Sequence, residues 1–110
     1  MTERKLVRDR IPAIIAADGR EPVVKQLEGG ALLDALYDKL SEEHAELLEA
    51  SDDGHRLEEL ADMAEVIFAL AGQYGADEEA FLSLVRRKRE ERGGFEMGYL
   101  WCGEIMPDAD

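Results

Sequence analysis

The chain has 110 residues, with 26 Asp and Glu against 13 Lys and Arg and a formal net charge of −13. That length holds one domain, taken as residues 1–110, and excludes two independent cores. The charge argues against a nucleic-acid partner, the single cysteine (Cys102) excludes an internal disulfide, and no apolar h-region or ~20-residue apolar run points to secretion or a membrane partner, so a cytoplasmic protein is expected.

In chain order, Pro12 sits where a short helix from Ile11 can begin, and Gly19 closes it. Pro22 to Leu27 reads as a short strand, and Gly29-Gly30 punctuates the chain. From Ala31 to Ala50 the leucines at 32, 33, 36, 40, 47 and 48 recur at helical spacing. Asp52-Asp53-Gly54 reads as a break. A second helix is expected from His55 to Tyr74, with Gly75 as its C′ residue. Asp77 can cap a third long helix running to Arg92, with Glu78 and Glu79 in its first turn and Gly93-Gly94 as its stop. Phe95 to Trp101 reads as a short strand or an extended tail, and Met106 to Asp110 as loose chain. The expected class is mainly α: an antiparallel helical bundle with short extended segments near the N- and C-termini.

The run Met63–Ala71 is apolar nearly all the way round, which predicts a helix buried on most sides. One small bundle has too few helices to surround it. A homo-oligomer is therefore expected, the alternative being that the N-terminal segment covers this helix.

Acidic residues on helix faces are common and do not by themselves indicate catalysis. Position is more informative. At ~100° per residue, Leu36, Leu40 and Leu47 form one stripe, and Glu43 falls in its middle. A carboxylate among leucines is unfavourable unless something pairs with it. Glu46 lies one turn on, and Glu42 sits beside the pair. On the next helix Glu59 and Asp62 share a face that continues through Val66 and Ala69. In an antiparallel hairpin both acidic pairs can converge, and only a bound cation makes four converging carboxylates tolerable. Oxygen-only ligands favour Mg²⁺, Mn²⁺ or Ca²⁺ over zinc. The third helix carries Lys88, Arg89 and Arg92 beyond its Phe81–Val85 stripe. These cations complement the helix dipole, or they clamp a polyphosphate.

Glu42-Glu43-x-x-Glu46 followed by Glu59-x-x-Asp62 resembles the signature of the MazG-like all-α nucleoside triphosphate pyrophosphohydrolases. The segments Lys5–Pro12 and Lys88–Phe95 resemble a subgroup labelled phosphoribosyl-ATP pyrophosphohydrolase-like or house-cleaning NTP pyrophosphohydrolase. The resemblance runs from about residue 5 to 100. It implies a helical core assembled as a homodimer or a dimer of dimers, and Mg²⁺-dependent hydrolysis of a nucleoside triphosphate to the monophosphate and pyrophosphate. By that resemblance Glu43, Glu46, Glu59 and Asp62 are the metal ligands, and Glu42 and Glu46 orient or activate water. Lys88, Arg89 and Arg92 bind the substrate phosphates, and Arg8 and Arg10 are candidates for nucleotide contact. His44 is not required by the motif and reads as a surface residue. Phosphoribosyl-ATP as substrate, a non-catalytic nucleotide-binding regulatory module, and an antitoxin-like interaction protein are the competing readings. A di-iron bundle is disfavoured, because the chain has no Glu-x-x-His motif.

Overall fold

The computed structural model describes residues 4–107. Over that range the chain forms four helices: α1 (Ile11–Ala17), α2 (Gly29–Glu49), α3 (Asp53–Gln73) and α4 (Glu78–Arg92). Their ends follow local chemistry. Pro12 stands in the first turn of α1, where its missing N–H leaves no bond unmade. Asp52 caps α3 by accepting a hydrogen bond from the His55 backbone N–H at 2.8 Å. This corrects the expected break, since Asp53 and Gly54 belong to the first turn of α3. Asp77 caps α4 in the same way, accepting from the Ala80 N–H at 2.8 Å. Gly75 and Gly93 leave their helices at φ of 93° and 82°, a left-handed region that glycine enters without strain.

No strand occurs among the described residues. The strand expected over Pro22 to Leu27 is instead extended chain with Val23 and Val24 exposed. A strand needs a ladder partner for its N–H and C=O groups, and the described residues offer none. Phe95 to Trp101 is likewise a tail without a strand, and its aromatic side chains are exposed. Met106 and Pro107 lie in irregular chain, and the rest of the segment expected to be loose falls outside the described residues.

α2 and α3 pack as an antiparallel hairpin. The Tyr37 and Tyr74 hydroxyls hydrogen-bond at 2.6 Å at its open end, while Glu43 meets Glu59 and Asp62 toward the turn. Leu36, Val66 and Leu70 are buried between the helices, with Leu6, Leu32, Leu33 and Leu40 packed around them. The buried face of α3 therefore runs through Val66 to Leu70 and leaves Ala69 exposed, contrary to the expected stripe. α4 joins α3 where the Phe68 and Phe81 rings meet edge to face, with centroids 6.0 Å apart.

The core is small for the chain. The radius of gyration is 19.7 Å, against roughly 13 Å for a compact domain of this length. Leu57, Leu60 and Ile67 stay exposed along α3, as does Tyr74 just after it. No helix among the described residues is long and apolar enough to cross a membrane.

Candidate metal centre

Glu43 follows Leu36 by seven residues and Leu40 by three, so α2 turns it toward α3 with the leucines. It is only 5% exposed, the one buried charged residue among those described. Lys39, one turn earlier, places Nζ 3.2 Å from Glu43 Oε1 and 3.4 Å from Glu42 Oε1. Burial pulls the Lys39 pKa down, but the Glu43 and Glu42 carboxylates outweigh it and hold the ammonium charged. Glu43 Oε2 has no partner, and neither does Glu59 Oε2 across the hairpin. An unsatisfied buried polar group of Glu43's kind costs about 1–3 kcal/mol, and more when charged.

Two sets of carboxylates meet at Glu43. Glu42, Glu43 and Glu46 each offer an oxygen within 4.8 Å of the others, as do Glu43, Glu59 and Asp62. The four expected ligands are thus divided between two sets that share Glu43. The donor set is oxygen alone, and two of the oxygens are buried and unused, so the residues fit a hard divalent cation. Without one, the like charges act on each other. Loss of solvent, together with the neighbouring Glu43 and Glu46 carboxylates, raises the Glu59 carboxyl from its ordinary 4.5 to about 7.

That shift has a measurable sign. Below about pH 7 a cation must displace the Glu59 proton. Mn²⁺ affinity should therefore fall as pH is lowered from 7 toward 4.5, approaching about tenfold per pH unit by calorimetry. Glu59→Gln should lack this steep dependence. In the metal-free protein the stability contributed by the raised pKa is fully present below pH 4.5 and lost as pH rises through 7.

Three cations lean on the cluster. Lys39 is on α2 itself. Lys5 Nζ lies 3.5 Å from Glu42 Oε1, and Arg8 Nη2 donates to Asp62 Oδ1 at 2.7 Å. Arg4 and Lys5, with Glu42 and Glu46, line an open cavity of about 360 Å³. A second hollow of about 240 Å³ lies beyond Glu46 and Glu59, beside His55. Asp52 holds His55 in place, and both hydrogen bonds to His55 lower the Asp52 pKa.

Other expected site residues are not brought together. Arg10 is the N-cap residue of α1, is exposed, and pairs with none of the cluster acids. Lys88, Arg89 and Arg92 are exposed on α4 and form no ion pair with Glu42, Glu43, Glu46, Glu59 or Asp62 among the described residues. His44 is exposed, as expected. Lys39 is the site residue that the sequence reading missed. Its signal was available, since a lysine three and four residues before Glu42 and Glu43 can reach both.

No protein-family model matches the chain, and no solved structure matches it. An uncharacterized protein of Mycolicibacterium smegmatis is 54% identical over 43 residues, covering 39% of this chain and 44% of that protein. The match therefore spans less than half of either chain.

Proposed function

We propose that this protein hydrolyses a nucleoside triphosphate to the monophosphate and pyrophosphate, using Mg²⁺, with Mn²⁺ as a substitute, held by Glu43, Glu46, Glu59 and Asp62. House-cleaning of the nucleotide pool, as in the MazG-like pyrophosphohydrolases, is the role this chemistry suits. One observation carries the reading: a buried glutamate on a leucine stripe, with an unused oxygen, faces a second acidic pair across the hairpin. A bound divalent cation would supply the positive charge that such a cluster needs and that phosphate oxygens seek.

The chain's own groups divide the remaining work. Glu42 and Glu46 border the open cavity, where they can accept hydrogen bonds from a water and aim it at the α-phosphorus. Arg4 and Lys5 line the same cavity, and because they sit on irregular chain they can swing onto the charge of an entering polyphosphate whether or not the segment is held against the acids. Lys88, Arg89 and Arg92 have no place in this reading, because α4 does not present them to the cluster. No side-chain nucleophile is required, since phosphoryl chemistry rests on positioning and charge.

The reading includes a homodimer or a dimer of dimers. Leu60 and Ile67 are seven residues apart on α3, with Leu57 three residues ahead of Leu60, and all three are exposed. That spacing is a coiled-coil seam, which a second copy of the hairpin would cover.

Pyrophosphate release should be measured on a panel of standard and damaged triphosphates together with phosphoribosyl-ATP. Release is expected with Mg²⁺, absent with EDTA, and reduced at least ~100-fold in Glu59→Gln, which loses a ligand oxygen. If nothing on the panel is cleaved and Glu59→Gln binds metal as the parent does, the assignment is wrong. Nucleotide bound with metal but never cleaved would mark a sensor instead.

A further inference from the structure

Residues 4–10 cross the acidic end of the hairpin as an irregular strap. Leu6 packs on the core, Lys5 leans on Glu42, and Arg8 is bonded to Asp62. Among the described residues no backbone hydrogen bond ties this segment to α2 or α3. Half-buried Leu6 and Val7 and two ion pairs therefore hold the strap. Lys39 belongs to α2, so only its side chain can move. Lys5 and Arg8 are on a segment free of that constraint.

Arg8 and a divalent cation draw on the same carboxylate, that of Asp62. Asp62 Oδ1 accepts the guanidinium N–H at 2.7 Å, and it belongs to the residue set whose oxygens lie within 4.8 Å of one another. A guanidinium bonded to one oxygen restrains how the carboxylate can turn and places a positive charge beside the cation position. We propose that Arg8 is a built-in counter-ion for Asp62, displaced when metal binds, so that the strap of residues 4–10 is latched in the metal-free protein and released in the loaded one. This rests on the metal reading above.

The Arg8 and Asp62 side chains are 53% and 42% exposed, so the latch is a weak one and the competition modest. Mn²⁺ titration by calorimetry should show Arg8→Gln binding about two- to fivefold tighter than the parent, with Arg8→Lys in between. Limited trypsin digestion read by mass spectrometry supplies a second measurement. Cleavage after Lys5 should be slow in the metal-free parent, quicken on adding Mn²⁺, and be quick in Arg8→Gln with or without Mn²⁺. A parent that binds no Mn²⁺ overturns the metal centre and the latch together. A parent that binds Mn²⁺ but shows no change in cleavage, with Arg8→Gln binding equally or more weakly, overturns the latch alone.

Discussion

Glu43→Leu is expected to give a metal-free protein that melts higher than its parent and cleaves no triphosphate. The site sits between Leu40 and Leu47 on the buried face of α2 and is 5% exposed, so a leucine there continues the apolar stripe and removes an unpartnered carboxylate oxygen. Lys39 keeps Glu42 as its partner. Removing the unsatisfied buried oxygen, while Glu42 spares Lys39 the penalty of a half-removed ion pair, should stabilise by about 1 kcal/mol, which is roughly 4–8 °C in Tm for a domain of this size. The same change removes the carboxylate common to both acidic sets, and Mn²⁺ affinity should drop at least ~100-fold. Calorimetric melts in EDTA at one protein concentration, paired with Mn²⁺ titration, check both halves. A lower Tm would mean that the Lys39–Glu43 pair is net stabilising and that Glu43 needs no ligand to justify its place.

The second large effect concerns the exposed seam on α3. Ile67→Glu should dissolve the assembly. Ile67 follows Leu60 by seven residues on the exposed face of α3, and a charge on such a seam meets apolar side chains of the facing helix. The dissociation constant should rise at least ~100-fold, equivalent to roughly 3 kcal/mol. Light scattering after size exclusion should show the parent at two or four chain masses and the variant at one, with unfolding at lower temperature. The parent's Tm should also climb with protein concentration, as folding linked to association requires. A parent of single-chain mass with the same Tm across a hundredfold dilution would rule out the assembly and leave the extended shape intrinsic to the chain.

Much of this protein was legible from residue order, because the interactions concerned are local. Asp77 and Gly93 mark the ends of α4 through contacts within a few residues, and Gly75 does the same after α3. Glu43 stood out because helical period alone places it among leucines. Local rules failed where a partner was needed. Pro22 to Leu27 has strand-forming valines, but side-chain preference without a neighbouring ladder leaves extended chain. Asp53-Gly54 looked like a stop because the Asp52 cap that draws both into α3 depends on one side-chain rotamer. Lys39 carries no mark in residue order of the burial that holds its ammonium against Glu42 and Glu43.

What the amino-acid order determined by itself is the set of helices and the misplacement of one carboxylate within them. Only the tertiary structure decided which charges meet. It brought Glu59 and Asp62 to Glu43 across the hairpin, put Arg8 on Asp62 over 54 residues of sequence, and left Lys88, Arg89 and Arg92 away from the acids they were expected to join. Helical period tells which face a side chain takes on its own helix, whereas a contact between distant segments depends on how two faces pack, and no periodicity within one segment encodes that.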